Sequence, residues 1–346
     1  MDKEEIRLRR LAGQHLISPA DKLNAARDLC GVQAQFMSNA LHALRIRSSG
    51  FDEATAADGG LVKNWTLRGT IHVFAESDLP LFVGGENYRK NEWSDENFWN
   101  SRPDWALSPE RQQHFSDIIL AALEVLPRTR EELKELCRAE GMTSAEEHSM
   151  FHPWGGGVRQ LCERGFMHYA VQERKLFCQT APFEPLPREA AKLELTRRYF
   201  ANYGPATVKD AAYFFCVPQA EIKRRLCALP VEADECDGRT YYYINSGNGY
   251  GADIPDCIFL AGFDPLMLGY EKRESLFFNQ EDLRAIFNLA GIVMPALLLR
   301  GKVTGRWKRK GRTLTVELFR GLRAGERAAV EEAAQAIWSG VTVLFA

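Results

Sequence analysis

Two glutamines separated by one small residue, Gln33 and Gln35, form the pattern in this sequence with the clearest chemical use. A glutamine amide offers both a donor and an acceptor, so it is a poor base but can orient water or a base edge. If the backbone is extended, both side chains lie on one face and Ala34 lies on the other. If it is helical, the two amides diverge by about 200° and cannot meet on one ligand. Spacing alone leaves open whether the pair is a site or ordinary polar surface near a helix end.

The segments on either side of the glutamines predict a first winged-helix unit over residues 1–105. A helix–turn–helix pattern precedes them between Glu4 and Cys30. A strand-like segment over 61–74 follows, and Arg68 and His72 within it are expected to face outward. The glutamines would then lie at a junction between helices and strands.

Two further units, 106–184 and 185–250, repeat helices followed by two strands. The spacing from Thr129 to Glu132 predicts a capping box, and Thr207 predicts a second helix cap. Helices are predicted over 111–126, 158–164, 189–203, 208–215 and 218–226, and strands over 166–171, 175–179, near 231 and over 241–244. Helices followed by a two-stranded ribbon are the components of a winged helix.

The last hundred residues change character and predict a small β-barrel or curled sheet over 251–346. Strands are predicted over 257–261, 295–306, 312–319 and 341–345, with a helix over 324–338. The predicted fold class is α+β, with tandem winged helix-turn-helix units and a C-terminal β-barrel-like domain. The run 91–109 is read as a boundary, and the glycine-rich run 247–251 is read as a flexible connector.

A basic cluster lies in the C-terminal part. Seven of the thirteen residues from Arg300 to Arg312 are Lys or Arg, none is acidic, and Trp307 lies among them. On a hairpin, alternate members would share one face and form a stripe that contacts phosphates. The alternative is a solvated hairpin tip with no ligand.

Composition restricts the function classes. The chain has 346 residues and a formal net charge of −2, so any nucleic-acid binding must depend on local charge. Eight cysteines without a C-x-x-C pair, no recognisable signal peptide and no long apolar run predict a cytoplasmic protein that does not bind membranes. His148 and His152 have a spacing that suits a metal, but no third ligand follows at a suitable spacing, so no metal and no cofactor are expected.

Several short motifs in a fixed order resemble the AlkZ- and YcaQ-type winged-helix DNA glycosylase family, over almost the whole chain. They are Leu8 to Leu11 with Gln14, Gln33 to Gln35, Leu67 to His72, Tyr203 to Thr207 with Asp210, Phe263 to Pro265 with Gly269, Tyr270 and Arg273, and Gly301 to Lys308. Each motif is weak alone, and the specificity lies in their combination and order.

The resemblance implies a nucleoid-associated, monofunctional glycosylase that removes purines alkylated at N7 or N3 from double-stranded DNA, including bases caught in interstrand crosslinks. Gln33 and Gln35 would be catalytic and would hold the attacking water, and relatives with Asp at the second position form a related subgroup. The candidate DNA-contacting residues are Arg45, Arg68, His72, Lys302, Arg306, Lys308, Arg309 and Lys310. A monomer is expected.

Two other functions remain open from the sequence. A non-catalytic winged-helix transcriptional regulator would read sequence with a helix and leave the two glutamines incidental. A lesion-shielding resistance protein would bind damaged DNA without cutting it. Base release from duplex DNA that carries N7-methylguanine separates both from a glycosylase.

Overall fold

A computed structural model describes residues 1–53, 56, 59–83, 101–245 and 253–346. The chain divides into two compact units: unit 1 is Met1–Glu53 with Leu195–Ala346, and unit 2 is Ala54–Glu194. This division is coarser than the four predicted ranges, which therefore stay a prediction. The predicted connector 247–251 and most of the predicted boundary 91–109 lie outside the described residues.

The described helices and strands follow the predicted order closely. The helices are α1 (Lys3–Gly13), α2 (Lys22–Asp28), α3 (Met37–Arg45), α4 (Leu79–Phe82), α5 (Pro109–Val125), α6 (Arg130–Ala139), α7 (Ser144–Met150), α8 (Gly156–Glu163), α9 (Arg188–Asn202), α10 (Val208–Phe215), α11 (Gln219–Leu226), α12 (Pro265–Leu268), α13 (Leu283–Ile286) and α14 (Glu326–Ile337). The strands are β1 (Val32–Gln33), β2 (Leu61–Trp65), β3 (Ile71–Ala75), β4 (Arg128–Thr129), β5 (Met167–Tyr169), β6 (Leu176–Gln179), β7 (Glu232–Cys236), β8 (Arg239–Tyr243), β9 (Cys257–Phe259), β10 (Ala296–Leu299), β11 (Lys302–Lys310), β12 (Thr313–Leu318) and β13 (Thr342–Phe345).

Helix starts were the most predictable feature, because capping is a local interaction. Thr129 and Glu132 form the predicted capping box of α6, and Thr207 with Asp210 forms one at α10. A third capping box, at Thr143, opens α7. The sequence pattern predicts no helix over 144–150, and the structure has one there.

Unit 2 combines helices α5 to α8 with short antiparallel strands. Strands β2 and β3 pair antiparallel, as do β5 and β6, and β2 also pairs with β5. The largest apolar cluster of this unit includes Phe115, Leu133, Val158 and Phe177, and Trp65 and Ile71 pack against it. Burial of these side chains is the main force that holds the hairpin of β2 and β3 against the helices.

Unit 1 contains the predicted β-rich domain. Its sheet has the order β13-β12-β11-β10-β9, with β13 parallel to β12 and the other pairs antiparallel. Its edge strands are β13 and β9, so of the two predicted forms, a small β-barrel or a curled sheet, the described residues form an open, half-barrel sheet. Helix α14 packs on it through Val330 and Ala334, against Phe259 and Leu314 among others.

The helices of the predicted second and third units are confirmed, and the strands β7 and β8 pair antiparallel as a two-stranded ribbon. Winged-helix geometry itself stays a prediction. Among the described residues, no helix is long and apolar enough to cross a membrane.

Candidate functional site

The glutamine motif lies between a sharp helix end and the start of the next helix in unit 1. Helix α2 ends in a Schellman arrangement, in which the Cys30 amide bonds to the Arg27 carbonyl at 3.1 Å and the Gly31 amide bonds to the Ala26 carbonyl at 2.8 Å. Cys30 and Gly31 both have positive φ, at 54° and 85°. The chain therefore turns abruptly and leaves the helix extended, which presents Gln33 at the end of β1.

A chain of buried hydrogen bonds fixes the point where the motif begins. Gln14 Nε2 donates to the Tyr270 hydroxyl, Tyr270 donates to the Tyr203 carbonyl, and Tyr203 donates to the Leu29 carbonyl, each at 2.9 Å. Burial raises the pKa of the Tyr270 hydroxyl, so this phenol stays protonated and remains a donor. The tyrosines therefore hold the backbone that leads into the glutamines.

The first and fourth motifs of the resemblance are joined by a buried ion pair. Arg10 Nη2 lies 3.2 Å from Asp210 Oδ2, and Arg10 Nε donates to the Pro205 carbonyl at 2.8 Å. The guanidinium carbon of Arg10 also lies 3.8 Å from the centre of the Tyr270 ring. These buried contacts therefore give Arg10 and Asp210 a structural role.

The two glutamines have different environments. Gln33 is only 8% exposed, and Ala34 is 1% exposed. Gln35 lies in a bend and is exposed, and its side chain makes no hydrogen bond with a residue that the structure describes. Of the two conformations that the spacing left open, the backbone at Gln33 is extended, but the bend ends the strict alternation before Gln35. One amide is therefore held in the protein and the other is presented to solvent.

An exposed aromatic ring follows the glutamines, and the sequence reading did not include it among the site residues. Phe36 is 48% exposed at the N-cap of α3, and its ring stacks on buried Phe263 at 5.9 Å and 29°. The segment that contains Gly262 can approach α3 closely because glycine has no side chain. A Cβ at Gly262 would lie 2.6 Å from Asn39 Nδ2. The only sequence signal was an aromatic residue directly beside Gln35.

Helix α3 is fastened to the sheet of unit 1 by His42. The Nε2 atom of His42 lies 2.7 Å from the Phe259 carbonyl, and its ring contacts both Trp307 and Trp338. Burial lowers the pKa of His42 to about 4, so the ring is neutral near pH 7 and Nε2–H donates. This contact fixes α3, and with it the residues that precede α3, on β9 and β11.

A second anchor of α3 is a fully buried ion pair between Arg47 and Asp264. Arg47 Nη2 and Nη1 lie 2.6 and 3.1 Å from the two carboxylate oxygens, and both side chains are 0% exposed. Asp264 also accepts the Ala261 and Leu266 amides. Arg273, the nearer arginine and a member of the same motif as Asp264, is exposed.

The basic run forms the predicted hairpin of β11 and β12. Lys308 and Lys310 are exposed opposite Thr315 and Thr313, whereas Arg306 makes a two-pronged pair with Glu317 at 2.8 Å for each bond. Arg309 points to the other face, where its guanidinium lies 5.6 Å from the centre of the Trp338 ring. Positive charge is therefore concentrated at the tip.

Lys302 and Arg45 lie apart from that tip. Lys302 is exposed at the start of β11, where a register shift interrupts the regular alternation towards Arg306. Arg45 is half-buried at the end of α3 and lies 3.6 Å from Glu53. Neither residue is part of one continuous stripe with Lys308.

Arg68 and His72 belong to unit 2, and His72 does not face outward as expected, since it is 2% exposed. Arg68 has a positive φ of 59°, and its Nη2 donates to His72 Nε2 at 3.1 Å. Because a guanidinium can only donate, Nε2 must be unprotonated and the proton lies on Nδ1, which is 2.8 Å from Thr66 Oγ1. Burial lowers the pKa of His72 to about 3, so His72 is a neutral support for Arg68.

The sequence offers no third ligand near His148 and His152, but the fold brings one to them. Asp104, distant in sequence, lies beside them, and the three ligand atoms are within 4.8 Å of one another. Among the described residues, the side chains of Asp104, His148 and His152 are close enough together to hold one metal ion.

Comparisons with known proteins agree with one another. A family model described as "DNA glycosylase AlkZ-like" matches residues 26–338. An interstrand DNA cross-link repair glycosylase of Streptomyces sahachiroi is 25% identical over 316 residues, which cover 84% of this chain and 83% of that protein. The solved structure of the Streptomyces sahachiroi DNA glycosylase AlkZ matches the whole of both chains with a TM-score of 0.81 and 19% identity. The last match shows a shared fold.

Proposed function

The chain belongs to the AlkZ-like DNA glycosylase family, and from that premise we propose that it hydrolyses the glycosidic bond of purines alkylated at N7 or N3 in double-stranded DNA. The observation that carries the proposal is the pair of amides at Gln33 and Gln35, one buried and one exposed, on a backbone fixed by the helix end at Cys30 and Gly31. Fixed polar groups are what a positioning mechanism needs.

The chemistry explains why amides are sufficient. Alkylation at N7 or N3 makes the purine cationic, so the base leaves as a neutral molecule without a general acid. The bond between the sugar C1′ and the purine nitrogen breaks, a water oxygen adds to C1′, and the water proton passes to solvent. The remaining task is to hold that water against an oxocarbenium-like sugar.

The different burial of the two glutamines assigns them different roles. Gln33, held by the protein, orients the water with little conformational freedom. Gln35, exposed in its bend, contacts the lesion at the DNA surface. Phe36 adds an exposed ring beside it, backed by Phe263, which can stack on a base or sugar of the damaged nucleotide.

The hairpin tip supplies sequence-independent affinity for DNA. Lys308 and Lys310 present their ammonium groups without an ion pair to any residue that the structure describes. Cations of this kind bind phosphates and release counterions, so they contribute affinity that depends on salt rather than on sequence. A protein with a net charge of −2 needs such a local cluster to bind DNA.

Crosslinked purines are also proposed substrates. The relative from Streptomyces sahachiroi is named an interstrand DNA cross-link repair glycosylase. A crosslinked base is tied to the opposite strand and cannot be rotated freely into a deep pocket. Gln35 and Phe36, which are presented on the surface, suit a lesion that is approached while it stays in the duplex.

The test is base release from duplex DNA that carries a single N7-methylguanine, with the undamaged duplex as the matched substrate control. We expect release of free N7-methylguanine and an intact abasic strand that breaks only after alkali treatment, since no lysine nucleophile lies in the motif. Tight binding to damaged duplex without release would identify a shielding protein. Tight binding to one undamaged sequence at high salt would identify a regulator.

A further inference from the structure

Three metal-ligating side chains lie together in unit 2, which does not contain the glutamine motif. Asp104, His148 and His152 each offer one ligand atom, and these atoms all lie within 4.8 Å of one another. His148 lies in the last turn of α7, His152 lies just beyond it, and Asp104 lies in the segment before α5. Two imidazoles and one carboxylate are a ligand set that Zn²⁺ and other divalent transition metals accept.

The separations approach those of a coordinated ion. His148 Nε2 lies 3.5 Å from Asp104 Oδ2. Two ligands of tetrahedral zinc are about 3.4 Å apart when each bond is about 2.1 Å long. No separation exceeds 4.8 Å, so none must shorten by more than about 1.4 Å to reach the same value, which a rotation of an exposed side chain provides.

The backbone around the three side chains is already fixed. Ser149, which is buried on α7, accepts a hydrogen bond from the Ala106 amide at 2.8 Å, so α7 and the segment around Asp104 are joined. Arg130 Nη1 donates to the His152 carbonyl at 3.3 Å. An ion would therefore bind to a prepared frame and would not have to order a loop.

Two contacts must yield to the ion, and both are weak or exchangeable. Arg102 holds the carboxylate of Asp104 through bonds of 2.9 and 3.1 Å, but this pair is largely exposed and such pairs contribute little. The Trp154 amide donates to His152 Nδ1 at 3.2 Å. A neutral imidazole that binds metal through Nε2 carries its proton on Nδ1, and one that binds through Nδ1 has no lone pair left there. Either mode releases the Trp154 amide.

We propose that Asp104, His148 and His152 bind one divalent transition metal ion, with Zn²⁺ the best match, and that the ion clips the segment around Asp104 to the end of α7. The three protein ligands leave a fourth position for water. The expected effect is local stabilisation of unit 2, independent of the glycosylase function.

The test is a titration of the purified full-length protein with Zn²⁺, followed by calorimetry, and with Co²⁺, followed by its visible spectrum. We expect one equivalent per chain and a Co²⁺ spectrum without a thiolate charge-transfer band, which separates this site from the exposed thiols of Cys216 and Cys227. The midpoint of thermal unfolding should rise by roughly 5–10 °C when Zn²⁺ is about a hundredfold above its dissociation constant. The Trp154 amide resonance should shift on binding.

Variants assign the ligands. His148→Gln, His152→Gln and Asp104→Asn should each weaken binding at least as much as the roughly 10- to 100-fold that loss of a supporting group costs at metal sites. Arg102→Ala should tighten it, because the competing cation is removed. His114→Gln, an exposed histidine on α5, is the matched control and should bind as the unmodified protein does. Absence of stoichiometric binding, or equal binding by the three ligand variants and the control, overturns the proposal.

Discussion

Replacement of Gln33 or Gln35 by alanine should lower the rate of base excision and leave DNA affinity nearly unchanged. The two replacements should differ in their effect on the free energy of unfolding. Gln35 is exposed, so Gln35→Ala should change the free energy of unfolding by no more than about 0.5 kcal/mol. Gln33 is 8% exposed, so Gln33→Ala removes a mostly buried polar group and should cost about 1–3 kcal/mol. Both changes should lower the rate of excision by about 10²- to 10³-fold, as loss of one oriented polar group does elsewhere.

The stability cost at Gln33 does not explain such a loss of rate. A domain with about 5 kcal/mol of stability that loses about 3 kcal/mol still keeps more than about nine-tenths of its molecules folded. Partial unfolding would therefore lower the rate by well under twofold. A hundredfold decrease at Gln33 must come from the chemistry.

The assay is single-turnover release of N7-methylguanine from a duplex, with DNA affinity measured in parallel on the same preparations. Affinity should change little, because the hairpin cations are untouched. Gln35→Asp should keep part of the activity, since a carboxylate can also hold water beside a positive sugar. Gln113→Ala, on the exposed face of α5, is the matched control and should excise normally. Excision at the unmodified rate by both alanine variants would show that the glutamines are not catalytic.

Three further predictions concern binding, lesion contact and pH. The double variant Lys308→Ala with Lys310→Ala should weaken binding to all duplexes alike and should reduce the slope of log affinity against log salt concentration by about 2. An unchanged slope in salt titrations would exclude contact between the hairpin tip and DNA. Because stacking of an aromatic ring on a base typically contributes about 1–3 kcal/mol, Phe36→Ala should lower the efficiency of excision by about tenfold and Phe36→Trp should keep it near that of the unmodified protein. Equal kinetics of the unmodified protein and the two variants would rule out stacking by Phe36. Burial lowers the folded-state pKa values of His42 and His72 to about 4 and about 3. A histidine in the unfolded chain has a pKa of about 6.5, so the unfolded chain binds more protons as the pH falls, and the free energy of unfolding should decrease by about 2 kcal/mol per histidine between pH 6.5 and 5. Denaturant titrations at the two pH values measure this decrease.

Local features were the predictable part of the fold. Capping boxes at Thr129 and Thr207, and the strand-rich composition of the C-terminal part, depend on residues close in sequence, and the structure has the elements there. Helix α7 was missed although Thr143 caps it in the same way. It is only seven residues long, and its apolar pattern is too short to indicate a helix.

Contacts between distant residues were not predictable. Arg47 and Asp264 are 217 positions apart, and no local pattern distinguishes this pair from the nearer Arg273. Asp104 reaches the two histidines of α7 only through the packing of unit 2. The candidate catalytic pair was visible as a motif, but the burial of one amide and the exposure of the other depend on the turn at Cys30 and Gly31.

The charge pattern of the hairpin has a consequence for how the protein meets DNA. Near the base of β11, Arg300 is paired with Asp256 at 3.0 Å and Arg306 with Glu317, which leaves the single exposed cation of Lys302 there, whereas Lys308, Arg309 and Lys310 place more positive charge near the tip. The hairpin is therefore electrically polar along its length. In the field of a duplex, such an element experiences a torque as well as an attraction, so productive encounters begin with the tip foremost. Glu317 then acts as a group that orients the hairpin. Neutralisation of Glu317 should speed association of the protein with DNA and should make the orientation of approach less defined.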